Sequence, residues 1–432
     1  MAMRIVDRLA GGKKGDGKKQ LSKVISEFHK LVLDRVDHKA LATLDAVETS
    51  ARLKGEIERL VDTDSRDFTR QERSEIVTVI LDEIMGLGPL EALLSDPAVS
   101  DILVNGPDTI YVERKGRLSQ VDVAFRDEAH LINTISRIVG AVGRRVDESS
   151  PMVDARLADG SRVNAIIPPL ALDGAALSIR RFGTKALTHE ELLKFGAMSQ
   201  DILNYLKAAV VAKCNLLVSG GTGAGKTTLL NALSNFIPEG ERVITLEDSA
   251  ELQLQLAHTV RLESRPPNLE GRGAVSIGDL MKNALRMRPD RIVVGEVRGE
   301  EALDMLQAMN TGHEGSMGTL HANSPGDATQ RLMTMISMGG TKLPPSTLEE
   351  IIGRTLHVIV QAARLSDGSR RVTSITEVLG YENDRIVTQE VFTYQRQGIE
   401  ADGTVLGQHL YIAESAYLEK FYQVGALRRP GE

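Results

Sequence analysis

The sequence predicts an α/β protein: a parallel-sheet core in the second half, preceded by an α+β domain and an N-terminal helical region. Three observations carry this reading. Short apolar runs at Asn215–Ser219, Arg242–Leu246, Arg291–Val294 and Ser316–Leu320 alternate with stretches of helical periodicity. That alternation is the pattern of strands buried on both faces and joined by crossover helices. Ahead of it, Val- and Ile-rich runs are separated by Asn105-Gly106-Pro107 and Lys115-Gly116, which are strand and turn signals. Earlier still, Val24, Ile25, Phe28, Leu31, Val32 and Val36 recur at three- and four-residue steps, the period of an amphipathic helix.

Residues 1–20 read as a flexible basic tail, with six basic residues against two acidic ones and four interleaved glycines. Residues 21–88 follow as the helical region, including a helix at Gln71–Met85, and Gly86-Leu87-Gly88-Pro89 ends it. The α+β domain spans 89–183. Its expected strands are Val99–Val104, Ile110–Glu113, Val121–Phe125, Arg162–Pro168 and Ala176–Phe182, with a helix at Leu131–Val142. A hinge is expected at 184–188, and the remaining 189–432 form the parallel-sheet domain, extended by strand-like pieces at His357–Ala362 and Arg371–Leu379.

Composition excludes several classes. A net charge of −7 and 3 % aromatic residues disfavour stable nucleic-acid binding. One cysteine, Cys214, rules out an internal disulfide and a Cys₄ zinc site, and its place beside an apolar strand predicts a small buried hydrophobe. No apolar run approaches the ~20 residues that span a bilayer. A cytoplasmic location is the expectation.

The chemistry begins at Gly220-Gly221-Thr222-Gly223-Ala224-Gly225-Lys226-Thr227-Thr228, preceded by Leu216-Leu217-Val218 and followed by Leu229, Leu230, Ala232 and Leu233 at helical spacing. Glycines at these places let backbone N–H groups turn inward around phosphate oxygens at the positive end of a helix. Lys226 can reach β- and γ-phosphates, and the Thr227 hydroxyl can ligate Mg²⁺. This stretch predicts a nucleoside triphosphate site. Three polar clusters follow. Glu247-Asp248-Ser249-Ala250-Glu251 ends one strand in carboxylates suited to Mg²⁺ or to a nucleophilic water. Ile292-Val293-Val294-Gly295-Glu296-Val297-Arg298 runs an apolar strand into an acid, with Gly295 where a generic Walker B strand has aspartate. Thr311-Gly312-His313-Glu314 and Gly318-Thr319-Leu320-His321-Ala322-Asn323 supply a polar strand end able to sense the γ-phosphate.

In this order the phosphate loop, the E-D-x-x-E box, G-E-V-R and T-L-H-A-N resemble the secretion ATPase superfamily, which groups type II and type IV secretion motors, archaeal flagellar motors and pilus motors. The resemblance covers roughly residues 75 to 395. Finer stretches resemble one branch, the CpaF ATPases of tight-adherence (Flp) pili: Asp101-Ile102-Leu103-Val104-Asn105-Gly106-Pro107, Ile110-Tyr111-Val112-Glu113-Arg114, Asp154 to Arg162, and Arg364-Leu365-Ser366-Asp367-Gly368-Ser369-Arg370. The resemblance implies a RecA-like P-loop core, ATP and Mg²⁺ as cofactors, and a homo-oligomeric ring, usually a hexamer. It also implies partners among inner-membrane pilus platform proteins and a peripheral place at that membrane.

It carries roles to individual residues. Gly220, Thr222, Gly223, Ala224, Gly225, Lys226, Thr227 and Thr228 would hold the nucleotide, and Thr227, Asp248 and Glu296 would hold Mg²⁺, partly through water. Glu296, Glu247, Glu251 and His321 would act in catalysis. Arg156, Arg162, Arg180 and Arg181 match segments that bring arginines to the phosphates, where permanently charged planar donors stabilise the transferred group. The leading expectation is an ATP-driven motor for pilus assembly. A type IV secretion ATPase, a DNA-translocating motor and a nucleotide-gated scaffold with little turnover are the competing ones.

Overall fold

The computed structural model describes residues 24, 25, 27, 28, 31, 32, 46–66, 68–114, 117–157, 159–181, 187–267 and 272–429. The expected basic tail and residues 184–186 of the expected hinge lie outside them. The chain divides into two compact units, Met1–Gly183 and Thr184–Glu432.

In the first unit, helices Ala46–Asp62 and Arg70–Ile84 bury Leu53, Ile57, Ile76 and Ile80 against Val24, Phe28 and Val32. The second helix begins with a capping box. Thr69 accepts from the Glu72 amide, and the Glu72 carboxylate accepts from the Thr69 amide, which satisfies two otherwise orphaned donors. Six antiparallel strands then form a sheet ordered β3-β2-β1-β6-β5-β4: β1 Val99–Asn105, β2 Ile110–Arg114, β3 Arg117–Val121, β4 Met152–Arg156, β5 Arg162–Ile166 and β6 Ala176–Arg180. Helix Glu128–Gly140, capped by Asp127, buries Leu131, Ile135, Ile138 and Val139 in the same core as Ile102, Val104, Val163, Leu177 and Ile179. In β2, β5 and β6 alternate residues face that core and the others turn away from it, as an antiparallel sheet covered on one side requires.

One expected strand is displaced. Val121–Phe125 is not a strand beyond its first residue. The strand is β3, four of whose five residues are exposed, so it carries no apolar signal. Phe125 follows as irregular chain, with its amide on the Pro107 carbonyl at 2.8 Å and its ring buried against His130. The apolar pattern there marks a core contact made by a loop.

The second unit holds a nine-stranded sheet ordered β15-β14-β13-β12-β7-β11-β10-β8-β9. Its strands are β7 Leu216–Gly220, β8 Val243–Glu247, β9 Thr259–Glu263, β10 Arg291–Val294, β11 Met317–Leu320, β12 Val358–Arg364, β13 Arg370–Glu382, β14 Arg385–Ile399 and β15 Val405–Tyr411. The six from β12 to β9 run parallel, and β13, β14 and β15 add on antiparallel. Strands β7, β8, β10 and β11 are buried at every position. Leu216 and Val218 belong to one core and Leu217 to another, so the strand has an apolar layer on each face. Burying each such side chain contributes about 1.5–3 kcal/mol. Cys214 is fully buried beside β7, and burial pushes its thiol up to about 12. Among the described residues no helix is long and apolar enough to cross a membrane.

Candidate nucleotide site

In a parallel sheet the carboxyl ends of all strands lie along one edge, where ligands of open α/β sheets bind. Here that edge collects Gly220 at the end of β7, His321 after β11, Glu296 after β10 and Glu247 at the end of β8. Those four strands are neighbours in the order β7-β11-β10-β8.

The phosphate loop links β7 to helix Lys226–Ser234. Gly225 caps that helix at φ +90°, a left-handed conformation that costs an L side chain about 1–2 kcal/mol. Lys226 opens the helix. Its ammonium donates to the Gly221 carbonyl at 3.2 Å and lies 3.2–3.3 Å from both ring nitrogens of His321. His321 Nε2 is 3.2 Å from Glu296 Oε1. Arg298 Nη2 donates to Glu296 Oε2 at 2.8 Å, and Arg298 Nη1 lies 3.6 Å from Asp248 Oδ2. Asp248 also accepts from the Ser264 hydroxyl at 3.0 Å. The contacts therefore run Lys226–His321–Glu296–Arg298–Asp248, crossing the strand ends in their order in the sheet.

The charges in this file set one another. Burial pushes the Lys226 amine down, and Glu296 opposes that. Burial also pushes the Glu296 carboxyl up, but the Arg298 hydrogen bond and the charges of Arg298, His321 and Lys226 outweigh it and leave the group below its ordinary value. Burial, then the Lys226 charge, lower the His321 imidazole. A neutral ring with its proton on Nε2 satisfies both neighbours: it donates to Glu296 and accepts from Lys226 at Nδ1.

Glu247 is 2 % exposed. Its Oε2 accepts from the amides of Glu251 and Leu252 at 2.6 and 2.8 Å, while the buried Oε1 has no hydrogen-bond partner. Burial raises its carboxyl, against the pull of those two amides. A buried carboxylate oxygen without a donor is costly and marks a place for a ligand's proton, water or ion. Gly295 is explained by the same side chain. A Cβ at 295 would sit 2.8 Å from Glu247 Cγ, so the residue replacing the usual aspartate leaves room for the glutamate of the adjacent strand. The Gly295 carbonyl in turn accepts from the Thr319 hydroxyl at 2.7 Å.

The expected third cluster splits. His321 joins the file, but His313 and Glu314 precede β11 and lie at the opposite end of that strand, where the His313 carbonyl accepts from the Ser316 hydroxyl. A strand of parallel sheet separates them from the phosphate loop. Two positions that sequence reasoning left without a role belong to the site. Arg298 stands two residues after Glu296, with its amide held by the Glu301 carboxylate at 2.6 Å. Arg370 donates from Nε to the Gly223 carbonyl at 3.1 Å. Thr222, Thr227, Thr228 and Ala224 all lie in the loop or the first turn of its helix, and Glu251 lies beside Glu247.

In the other unit, Arg156, Arg162 and Arg180 form one cross-strand row: Arg156 opposes Arg162, and Arg162 opposes Arg180. Arg162 and Arg180 are exposed. Arg181 does not join that row. Its guanidinium donates to the carbonyls of Asp96 and Val99, and its amide to Ser100, so it holds the turn that enters β1. Alternation along the chain turns adjacent arginines to opposite sides.

Four buried parallel strands with a phosphate loop and a file of charged groups at their carboxyl ends define a P-loop nucleotide-binding protein. The chain belongs to the Type II/IV secretion system protein family, whose model matches residues 83–416. It is 38 % identical over 344 residues to a Mycobacterium tuberculosis (strain H37Rv) protein that carries a conjugal-transfer name, covering 78 % of this chain and 97 % of that one. It is 31 % identical over 300 residues to the conjugal transfer protein TrbB of Rhizobium radiobacter, covering 68 % and 88 %. Among solved structures it is similar to the VirB11 ATPase of the Brucella suis type IV secretion system in complex with sulphate, at 28 % identity and TM-score 0.37, covering 66 % of this chain and 91 % of that one.

Proposed function

We propose that this protein is an ATP-hydrolysing motor of a secretion-type machine, working as a ring, most simply a hexamer, on the cytoplasmic face of the inner membrane. The observation that carries the reading is the unbroken file from Lys226 to Asp248 across four adjacent strand ends. It combines a phosphate loop with carboxylates placed to handle a metal and a water.

The residues fit ATP and Mg²⁺. Among the described residues no group of three or more His, Cys, Asp or Glu could cage a metal by itself. That suits Mg²⁺, which binds through one or two carboxylates together with substrate phosphates. Thr227, with Asp248 and Glu296 partly through water, would hold it. When bound, the metal neutralises charge developing on the transferred phosphoryl group. Lys226 is drawn toward the phosphates from its contact with His321. Glu296, held ionised by Arg298, orients or deprotonates the attacking water. Glu247 and Glu251 support the same wall, and His321 reports the γ-phosphate to Glu296. Arg156, Arg162 and Arg180 supply positive charge to the phosphates during turnover.

The machine proposed is a Tad/Flp-type pilus assembly system, on the resemblance of Asp101–Pro107, Asp154–Arg162 and Arg364–Arg370 to that branch. A second reading, a type IV secretion or conjugal motor, is favoured by the names of the relatives. The first experiment is steady-state ATP hydrolysis over a wide protein concentration range, with Lys226→Ala as the blank. Specific activity that rises and saturates supports a ring motor. Activity no higher than the blank moves the reading to a nucleotide-gated scaffold. Deleting the gene and scoring pili against DNA or protein transfer separates the two machines.

A further inference from the structure

The hairpin joining β12 to β13 is built onto the phosphate loop. Strand β12 runs parallel to β7 with Ala362 opposite Gly220. A Cβ at Gly220 would lie 2.4 Å from the Ala362 carbonyl oxygen, so glycine at the base of the loop is what lets the hairpin approach so closely. The hairpin itself is firmly closed. Leu365 and Ser369 are joined at 2.8 Å, Leu365 is buried, and Gly368 takes φ +84°. The Asp367 carboxylate accepts from the Ser369 amide and hydroxyl at 2.9 and 2.6 Å and from the Val405 amide at 3.0 Å. The Ser369 hydroxyl, then the Val405 amide, hold that carboxyl at about 2. The acid of the turn is thus committed to the turn and to β15.

Two arginines flank it. Arg364 and Arg370 are the closing cross-strand pair of the hairpin, and both are exposed. Arg370 Nε donates to the Gly223 carbonyl, and its Cδ lies 3.3 Å from where a Gly225 Cβ would be. Arg364 Nη1 and Cδ lie 3.7 and 3.8 Å from where a Gly223 Cβ would be. Two permanent cations therefore rest on the glycines of one anion-binding loop. Like charges held so close are favourable when an anion shares them.

We propose that Arg364 and Arg370 form a second cationic arm of this site, specific for polyphosphate chains. Arg370 is a positioning residue that fixes the Gly223 peptide, so the shape of the loop is set before the ligand arrives. The two guanidinium charges together lower the cost of bringing a polyphosphate into the cradle. This rests on the nucleotide reading and deepens it.

The test is calorimetric binding of inorganic tripolyphosphate and of the β,γ-imido analogue of ATP to the full chain, with thermal melting of the unliganded protein alongside. Arg370→Ala is expected to weaken both ligands about tenfold, the size of one charge-assisted hydrogen bond. Arg364→Ala is expected to weaken them about threefold, as a partly screened charge does. Arg370→Lys is expected to recover part of the loss, and unliganded melting to stay unchanged. Unchanged affinity in Arg364→Ala/Arg370→Ala would overturn the proposal. So would equal loss in Arg370→Lys and Arg370→Ala accompanied by lower unliganded melting, since that describes packing alone. Wild-type binding that disappears in Lys226→Ala but persists in the double variant leaves the nucleotide reading standing and removes the arm. Wild-type protein that binds neither ligand overturns both.

Discussion

The two sheets of this protein present chemistry in opposite ways. In the nine-stranded sheet the four central parallel strands β7, β11, β10 and β8 are buried on both faces, so no side chain along their length meets solvent, and function is confined to the residues at and just past their ends. In the six-stranded sheet one face is dry and the other wet, so arginines stand within strands and line up through register. Position in a buried sheet is fixed by where the strand stops. Position in a half-buried sheet is fixed by pairing, and a one-residue slip would turn the whole row inward.

The sharpest way to test that contrast is to remove one group from each sheet. Lys226→Ala should reduce ATP hydrolysis by about 10³-fold or more, to the level of a protein-free control, because charge stabilisation in a preorganised site is the largest single term. Retained turnover would detach the phosphate loop from catalysis. Arg162→Ala and Arg180→Ala should lower kcat by about 10- to 100-fold while leaving thermal stability within about 0.5 kcal/mol, since both side chains are exposed. A loss of stability without a loss of kcat would make that row structural.

A subtler probe is Gly295→Ala. The added methyl meets Glu247 Cγ at 2.8 Å, so a cost of about 1–3 kcal/mol is expected. Melting should fall and hydrolysis should fall with it. An unchanged melting temperature would mean that Glu247 moves aside freely.

Acid should then weaken the file gradually. His321 is depressed in the folded protein, so the unfolded chain binds more protons between the two values and stability rises with pH through that window. Glu296 is also depressed, so its contribution is present above the unfolded value and is lost as pH falls through the folded one. Both act on the acid side, and kcat/KM should still be undiminished at about pH 6.5, the ordinary histidine value, and decline only at lower pH, because His321 is depressed in the folded protein. A decline that begins above that pH would contradict the neutral, bridging ring. The smallest effect is expected at Cys214: thiol reagents should leave native protein unlabelled and fully active, with labelling appearing only on unfolding.

The same contrast decides what could be read from the sequence. Arg291–Val294 is a strand with the limits its apolar run suggests, and β7, β8 and β11 agree within one residue at either end. Each is followed within a few residues by one that joins the file, so motif and geometry coincide. Where strands are half-buried or at an edge the signal fails. Exposed β3 is silent, and Phe125 imitates a strand while lying in a loop. Strands β14 and β15, largely exposed at the sheet's margin, have too little apolar alternation to announce themselves. The site shows the same division. Lys226, Glu296 and His321 were legible because each follows an apolar run. His313 looked equivalent to His321 only because a short strand separates them in sequence and sets them at opposite ends in space. Arg364 and Arg370 lie far along the chain from Gly223 and reach it only through sheet pairing.

The fit between Gly295 and Glu247 has an evolutionary reading. An aspartate at 295 would collide with the glutamate that now fills its space, and shortening Glu247 alone would leave a void and remove an acid from the site. Each single step carries a cost, so the two positions, 48 residues apart, are coupled. A paired replacement, an aspartate at 295 with a shorter side chain at 247, is expected to cost less than the sum of its two single steps.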